Sequence, residues 1–236
     1  MLMHRQFPLL GAAHLLTIAA IPALAAVLAW IGRKSAAASN RVRIGLGLVL
    51  LVDELAWYID VFHAQGLPFP DGLPLQLSDF LVWSTVIAAL TRKRIFFEFS
   101  YFAGISASGM AVLTPDLWAQ PLSYDLVQFF VSHGLIIITV LAMLWMHAAR
   151  ITRGSMWRAF AILNALALAL GIFDWRFGAN YMYLRAKPEA ASLLDYLGPW
   201  PAYLFFADFV ALGLFFVLAL PFRRVSGTRD WELGSR

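Results

Sequence analysis

Acidic and histidine side chains recur inside the longest apolar stretches of this chain: His14, Asp53, Glu54, Asp60, His63, Asp79, Glu98, His133 and Asp208. Each costs a few kcal/mol near the centre of a hydrocarbon layer, so each is a functional candidate by default. A carboxylate without a cationic partner in such a place must be protonated, hydrogen-bonded, hydrated or bound to a cation. His133 is the strongest single candidate, set against the plainer role of satisfying a neighbouring backbone carbonyl. Ser78 is weaker, because a serine in a membrane helix ordinarily bonds to the carbonyl one turn back, here that of Pro74. Glu54 and Asp208 both fall near the midplane and are expected to pair through a shared proton. Asp53 and Glu54 are adjacent, so at most one is expected to point inward. Asp71, Asp116, Asp174 and Asp195 fall in predicted loops, where solvated or capping roles are expected. Glu98 stands beside Arg92, Lys93 and Arg94 and reads as interfacial.

The elements that position these groups follow from composition. Only 14% of the 236 residues are charged and 61% are apolar, with a mean hydropathy of +0.72. A soluble chain carries about a quarter charged residues, so most of this surface must face lipid. At about 20 apolar residues per span, the runs near 9–32, 42–63, 74–91, 95–113, 125–147, 156–174 and 199–222 predict an all-α, polytopic bundle of seven transmembrane helices. The bundle is expected to form a single domain over 1–236, ending in a cytoplasmic tail at 223–236. The first run is longer than a signal h-region and carries more positive charge after it than before it, so it reads as a retained span. Of the 18 basic residues, seven spans put 14 on one side and 4 (Arg5, Arg176, Arg185, Lys187) on the other. By the positive-inside rule the N-terminus is then outside, the C-terminus inside, and the location the cell membrane. This placement, rather than nucleic-acid binding, accounts for the net charge of +4.

On these boundaries His14, Asp60, His63, Ser78, Asp79 and His133 converge on the outer half, as an outward-open cavity requires. At 1.5 Å per residue, Ser78 lies about 5 Å deep and His133 about 12 Å, an offset that a recessed 64–73 loop or a tilted fifth helix must close. Ala103, Gly104, Ala107, Ser108 and Ala111 form a small-residue face, expected to serve close helix packing. Pro22 is expected to kink the first span. Tyr124, Tyr181, Tyr183, Tyr196, Trp200 and Tyr203 are expected to form an aromatic belt. No cysteine is present, which removes disulfides, thiolate metal sites and a cysteine nucleophile together.

Several strings, in order, resemble a known family: Leu73-Pro-Leu-Gln-Leu-Ser78, Tyr101-Phe-Ala-Gly104, Leu113-Thr-Pro-Asp-Leu117, Phe129-Phe-Val-Ser-His-Gly134, Asn180-Tyr-Met-Tyr-Leu184, Lys187-Pro-Glu189 and Ser192-Leu-Leu-Asp-Tyr-Leu-Gly-Pro-Trp-Pro201. From about His14 to Phe222 they resemble the YwaF-type bacterial integral membrane proteins. That family is similar to eukaryotic transmembrane phospholipid acyltransferases with a proposed cysteine–histidine pair and, more distantly, to androgen-induced membrane hydrolases. The resemblance implies that His133 takes the histidine's place and Ser78 the cysteine's, with Gln76 where a histidine is common. It further implies a phospholipid or lysophospholipid partner in the bilayer, and acyl transfer or ester hydrolysis without a cofactor. In that chemistry His133 takes the proton of Ser78 and an acyl-enzyme forms. His14, Asp60 or Glu54 would orient the imidazole, with His63 and Tyr181 as supporting groups, and Asn180 or a helix-end amide would stabilise the oxyanion.

Three other readings belong to different classes. A transporter or channel would relay protons or bind a cation through Glu54, Asp208 and the histidines, and inverted repeats, which would favour it, are not evident. A metal hydrolase would gather His14, His63 and His133, but no two of these share a helical spacing. A non-catalytic lipid-binding protein is the third. A retinal receptor lacks its seventh-span lysine.

Overall fold

The computed structural model describes residues 5–6, 8–115, 118–119, 123–188 and 193–223. The expected cytoplasmic tail beyond Arg223, Asp116, and the motif residues Leu117, Glu189 and Ser192 lie outside them. An apolar chain in lipid must satisfy its backbone hydrogen bonds internally, and helices do so within one segment. The chain folds accordingly into α1 (Ala12–Gly32), α2 (Ala36–Gln65), α3 (Leu77–Thr91) and α4 (Arg94–Phe99). A π-helical stretch (Ser100–Gly104) leads straight into α5 (Ile105–Leu113), followed by α6 (Tyr124–Trp145), α7 (Ser155–Phe177) and α8 (Ala202–Arg223). Two-residue strands β1 (Arg5–Gln6) and β2 (Trp118–Ala119) pair antiparallel. Among the described residues, five helical stretches are long and apolar enough to cross a membrane: α1, α4 through α5, α6, α7 and α8. The 30-residue α2 carries several charges, and α3 has only 15 residues.

Helix α6 is central and packs against α1, α2, α3 and α5. Its Gly134 lets the Ile21 side chain of α1 approach to 3.5 Å of where a Cβ would stand. Helix α8 leans on the π-helical stretch and α7, and Tyr101 ties the two by donating to the Leu218 carbonyl at 3.0 Å. The helix ends are closed by side chains. Ser35 Oγ accepts from Ala38 N–H at 3.0 Å at the start of α2. Arg43, 8% exposed, donates to the Ala89 carbonyl and, at 3.0 Å, to that of Leu90, covering the last turn of α3. Those carbonyls have no partner within the helix.

Several expectations change here. Glu98 is 0% exposed, not interfacial. Arg158 of α7 grips it with two bonds of 2.6 and 2.7 Å, Ser155 donates at 2.7 Å, and Arg94 stands at 3.3 Å. A carboxylate is kept inside apolar surroundings only with such partners. Asp174 lies in α7 rather than a loop, buried, and accepts from Tyr181 N–H at 3.1 Å. Asp208 takes its bond from Asn164 of α7 at 3.1 Å, and no bond joins it to Glu54 among the described residues. Tyr181 and Tyr203 are 2% and 1% exposed and hydrogen-bonded inside, so the belt reduces to Tyr124, Tyr183, Tyr196 and Trp200, all exposed.

Candidate functional site

A cavity of about 680 Å³ opens among α2, α3, α5, α6, α7 and α8, at the end of the bundle where α3, α6 and α8 begin. Ser78 and His133 both line it. Helix α3 starts late. Residues 66–76 contain no helix, and Leu77 is the first residue of α3. Thr91 lies thirteen residues beyond Ser78 on α3 and Trp145 twelve beyond His133 on α6. At about 1.5 Å per residue, the pair therefore stands about 20 and 18 Å from the far ends of their helices.

The late start is built from three side chains. The Tyr181 hydroxyl donates toward the Pro70 and Leu73 carbonyls at 2.7 and 2.9 Å and accepts from Leu73 N–H at 2.9 Å. Burial raises the pKa of this phenol, which keeps it a donor. Asp79 accepts from Gln76 N–H at 2.7 Å, closing the first turn of α3. The Gln76 amide oxygen accepts from Met182 N–H at 3.3 Å. Met182 and Tyr183, which also line the cavity, both sit at left-handed φ of 53° and 56°. Such a conformation costs about 1–3 kcal/mol per non-glycine residue and persists only where neighbours impose it. Here Gln76 holds one and the Tyr203 hydroxyl, donating to the Tyr183 carbonyl, holds the other.

His133 donates from Nδ1 to the Phe129 carbonyl at 2.7 Å. In the neutral ring this leaves Nε2 as the acceptor. Ser78 does not bond to Pro74, and no hydrogen bond joins it to His133 among the described residues. Its hydroxyl lies in the first turn of α3, where backbone N–H groups have no helical partner and the dipole is positive.

Glu54, 3% exposed, also faces the cavity, as does Asp79. The Tyr58 hydroxyl reaches both carboxyl groups and accepts from Trp83 Nε1 at 3.1 Å. Asp53 is not turned outward. It lies toward α6, where it reaches Gln128, because adjacent residues on α2 face α3 and α6 separately.

The remaining expected residues are elsewhere. His14 is 0% exposed. Its Nδ1 accepts from Leu10 N–H at 3.0 Å and its Nε2 donates to the Val112 carbonyl at 2.7 Å, pinning α1 to α5. Asp60 and His63 are exposed on the last turns of α2 and do not line the cavity. The Asn180 side chain is used inside its own loop, accepting from Arg185 and Ala186 N–H and donating to the Ala186 carbonyl, each at 3.0 Å. Among the described residues no three His, Asp or Glu side chains gather as a metal-holding group. Tyr58, Gln128, Ser106 and Ser132 were not singled out from sequence. Tyr58 carried a usable signal, standing one turn after Glu54.

The small-residue face opens space as well as packing. Ala103, Ala107 and Ser108 line the cavity, while a Cβ on Gly104 would stand 3.1 Å from Ile136. No curated protein and no solved structure matches the chain significantly. The model of the TMEM164 family, a transmembrane protein family, matches residues 9–219. With nearly all of its described helices inside that match, the chain belongs to the TMEM164 family.

Proposed function

We propose that the cavity carries out acyl transfer or ester hydrolysis on a phospholipid or lysophospholipid, with Ser78 as nucleophile and His133 as general base. The observation that carries this reading is one largely apolar cavity holding both side chains, the imidazole acceptor nitrogen uncommitted and the hydroxyl at a helix N-terminus. His133 Nε2 would take the Ser78 proton as Oγ forms a bond to the ester carbonyl carbon. First-turn amides of α3 would face the developing oxyanion. The leaving alcohol takes the proton back from His133, and an incoming hydroxyl or water reverses the sequence on the acyl-serine. Tyr181 and Gln76 are positioning residues that set the start of α3. The resemblance to YwaF-type proteins and to transmembrane acyltransferases supports the same chemistry.

The reading includes seven spans in the cell membrane, with the N-terminus outside. Incubating purified protein with labelled phospholipid and lysophospholipid should yield transferred or released acyl chains by mass spectrometry. Ser78→Ala and His133→Ala should each lower turnover by about 10³-fold or more. Activity retained in either folded variant ends the proposal. Loss with Glu54→Gln but not with Ser78→Ala would favour a proton or cation relay instead.

A further inference from the structure

Polar atoms on the cavity wall that the Ser78–His133 chemistry does not use need an explanation. Glu54 Oε1, Ser106 Oγ and Ser108 Oγ are buried with no hydrogen-bond partner among the described residues. All three residues line the cavity, together with Gln128 and Ser132 of α6. Glu54 is 3% exposed and Ser108 is 1% exposed. An unpaired buried polar group costs about 1–3 kcal/mol. Native structures keep few of them, usually where something else completes the set.

We infer that Glu54 and Ser108 form a subsite for the hydroxyl groups of a neutral lipid alcohol, such as a monoacylglycerol, bound with its chain in the apolar part of the cavity. Three features select that chemistry. A hydroxyl both donates and accepts, so it satisfies a carboxyl oxygen and a serine hydroxyl at once. Among the described residues no lysine or arginine lines the cavity, so a phosphate or carboxylate would have no cationic partner inside it and would stay at its mouth. An ammonium group only donates, and would leave the Ser108 hydroxyl hydrogen without an acceptor. The apolar remainder of the wall, including Leu81, Val82, Leu163 and Phe215, suits an alkyl chain.

The inference rests on the reading of the cavity as a lipid site, and it gives that reading an acyl acceptor. With the acyl group on Ser78, the acceptor oxygen bonds to the acyl carbon and its proton passes to His133 Nε2. The bond from that carbon to Ser78 Oγ breaks, and Oγ recovers the proton. Glu54 and Ser108 orient the alcohol and take no part in the bond changes.

The test measures binding in Ser78→Ala protein, in which no acyl-serine forms, using native mass spectrometry. The probes are monopalmitoylglycerol, methyl palmitate and a chain-matched primary alkylamine. The expected result is monopalmitoylglycerol binding about 10-fold tighter than methyl palmitate, equivalent to about 1.4 kcal/mol. Ser108→Ala and Glu54→Leu should each erase most of this preference while methyl palmitate still binds, and Glu54→Gln should keep part of it. Equal binding of alcohol and ester, preference for the amine, or a preference that survives both Ser108→Ala and Glu54→Leu overturns the inference. In protein bearing Ser78, the ratio of transfer to hydrolysis should fall about 10-fold in Ser108→Ala, and an unchanged ratio also overturns it. Alcohol preference in a protein that never acylates Ser78 would sink the catalytic proposal and leave this subsite standing.

Discussion

Two histidines of this chain, both within apolar helices, end with opposite uses because of their partners. His14 spends both ring nitrogens on the backbone, joining Leu10 of its own helix start to Val112 of α5. His133 spends Nδ1 on the Phe129 carbonyl and lines the cavity, with no bond to Nε2 among the described residues. His14→Ala removes an acceptor and a donor from two buried backbone groups, so it should lower stability by about 1–3 kcal/mol. Turnover or lipid binding per folded molecule should stay near the parent value. Denaturation in detergent beside a binding titration checks both halves. A stable variant with lost binding would return His14 to the site.

At the level of elements, α4 and α7 are joined through one buried carboxylate, and its two sides are not equivalent. Glu98 is fully buried, whereas the side chain of Arg158 is 38% exposed. Arg158→Leu strands a charge among apolar neighbours with Ser155 and Arg94 for company, and should cost about 3–5 kcal/mol. Glu98→Gln keeps hydrogen-bonding capacity and leaves a guanidinium that reaches solvent, so it should cost less, about 1–3 kcal/mol. Denaturation midpoints of the two variants decide the order. The reverse order would mean that Arg94 and Ser155 already suffice for the carboxylate. At the other end of the bundle, the late start of α3 sets the site. Tyr181 ties down residues 70–73, Asp79 closes the first turn, and the nucleophile proposed for the reaction stands on the wall of the cavity that His133 also lines.

For the whole molecule, the cavity lies at one end of the bundle, and the basic residues crowd the other. Arg33, Lys34, Arg92, Lys93, Arg94, Arg150 and Arg153 all fall in or beside the three connections α1–α2, α3–α4 and α6–α7. That arrangement supports a cavity facing the outside, under the positive-inside rule. The absence of cysteine makes the orientation simple to measure. In intact cells, an impermeant maleimide should label Ala64→Cys at the cavity end, whereas Ala37→Cys should react only after the membrane is opened. Both positions are exposed. The opposite pattern would invert the topology and place the cavity on the inner side.

Helix type and the approximate bounds of the apolar runs were legible in the sequence because hydrocarbon imposes one rule everywhere: long apolar stretches must be helical, and charge collects at their ends. Predicted 95–113 and observed Arg94–Leu113 differ by one residue. The candidacy of His133 and Glu54 was legible for the same reason, since an ionisable group inside such a stretch is costly wherever it points. Its partner was not legible. Glu98 looked interfacial because Arg158 is sixty residues away in sequence, and Asp208 found Asn164 rather than Glu54 because α7, not α2, packs beside α8. His14, Asp60, His63 and Asn180 carried suitable chemistry but face a helix carbonyl, the exterior or their own loop. Depth along a helix follows from counting residues, so the sequence alone determined which ionisable groups fall within apolar stretches. Azimuth and helix start depend on long-range packing, so only the tertiary structure decided which of those groups share a cavity.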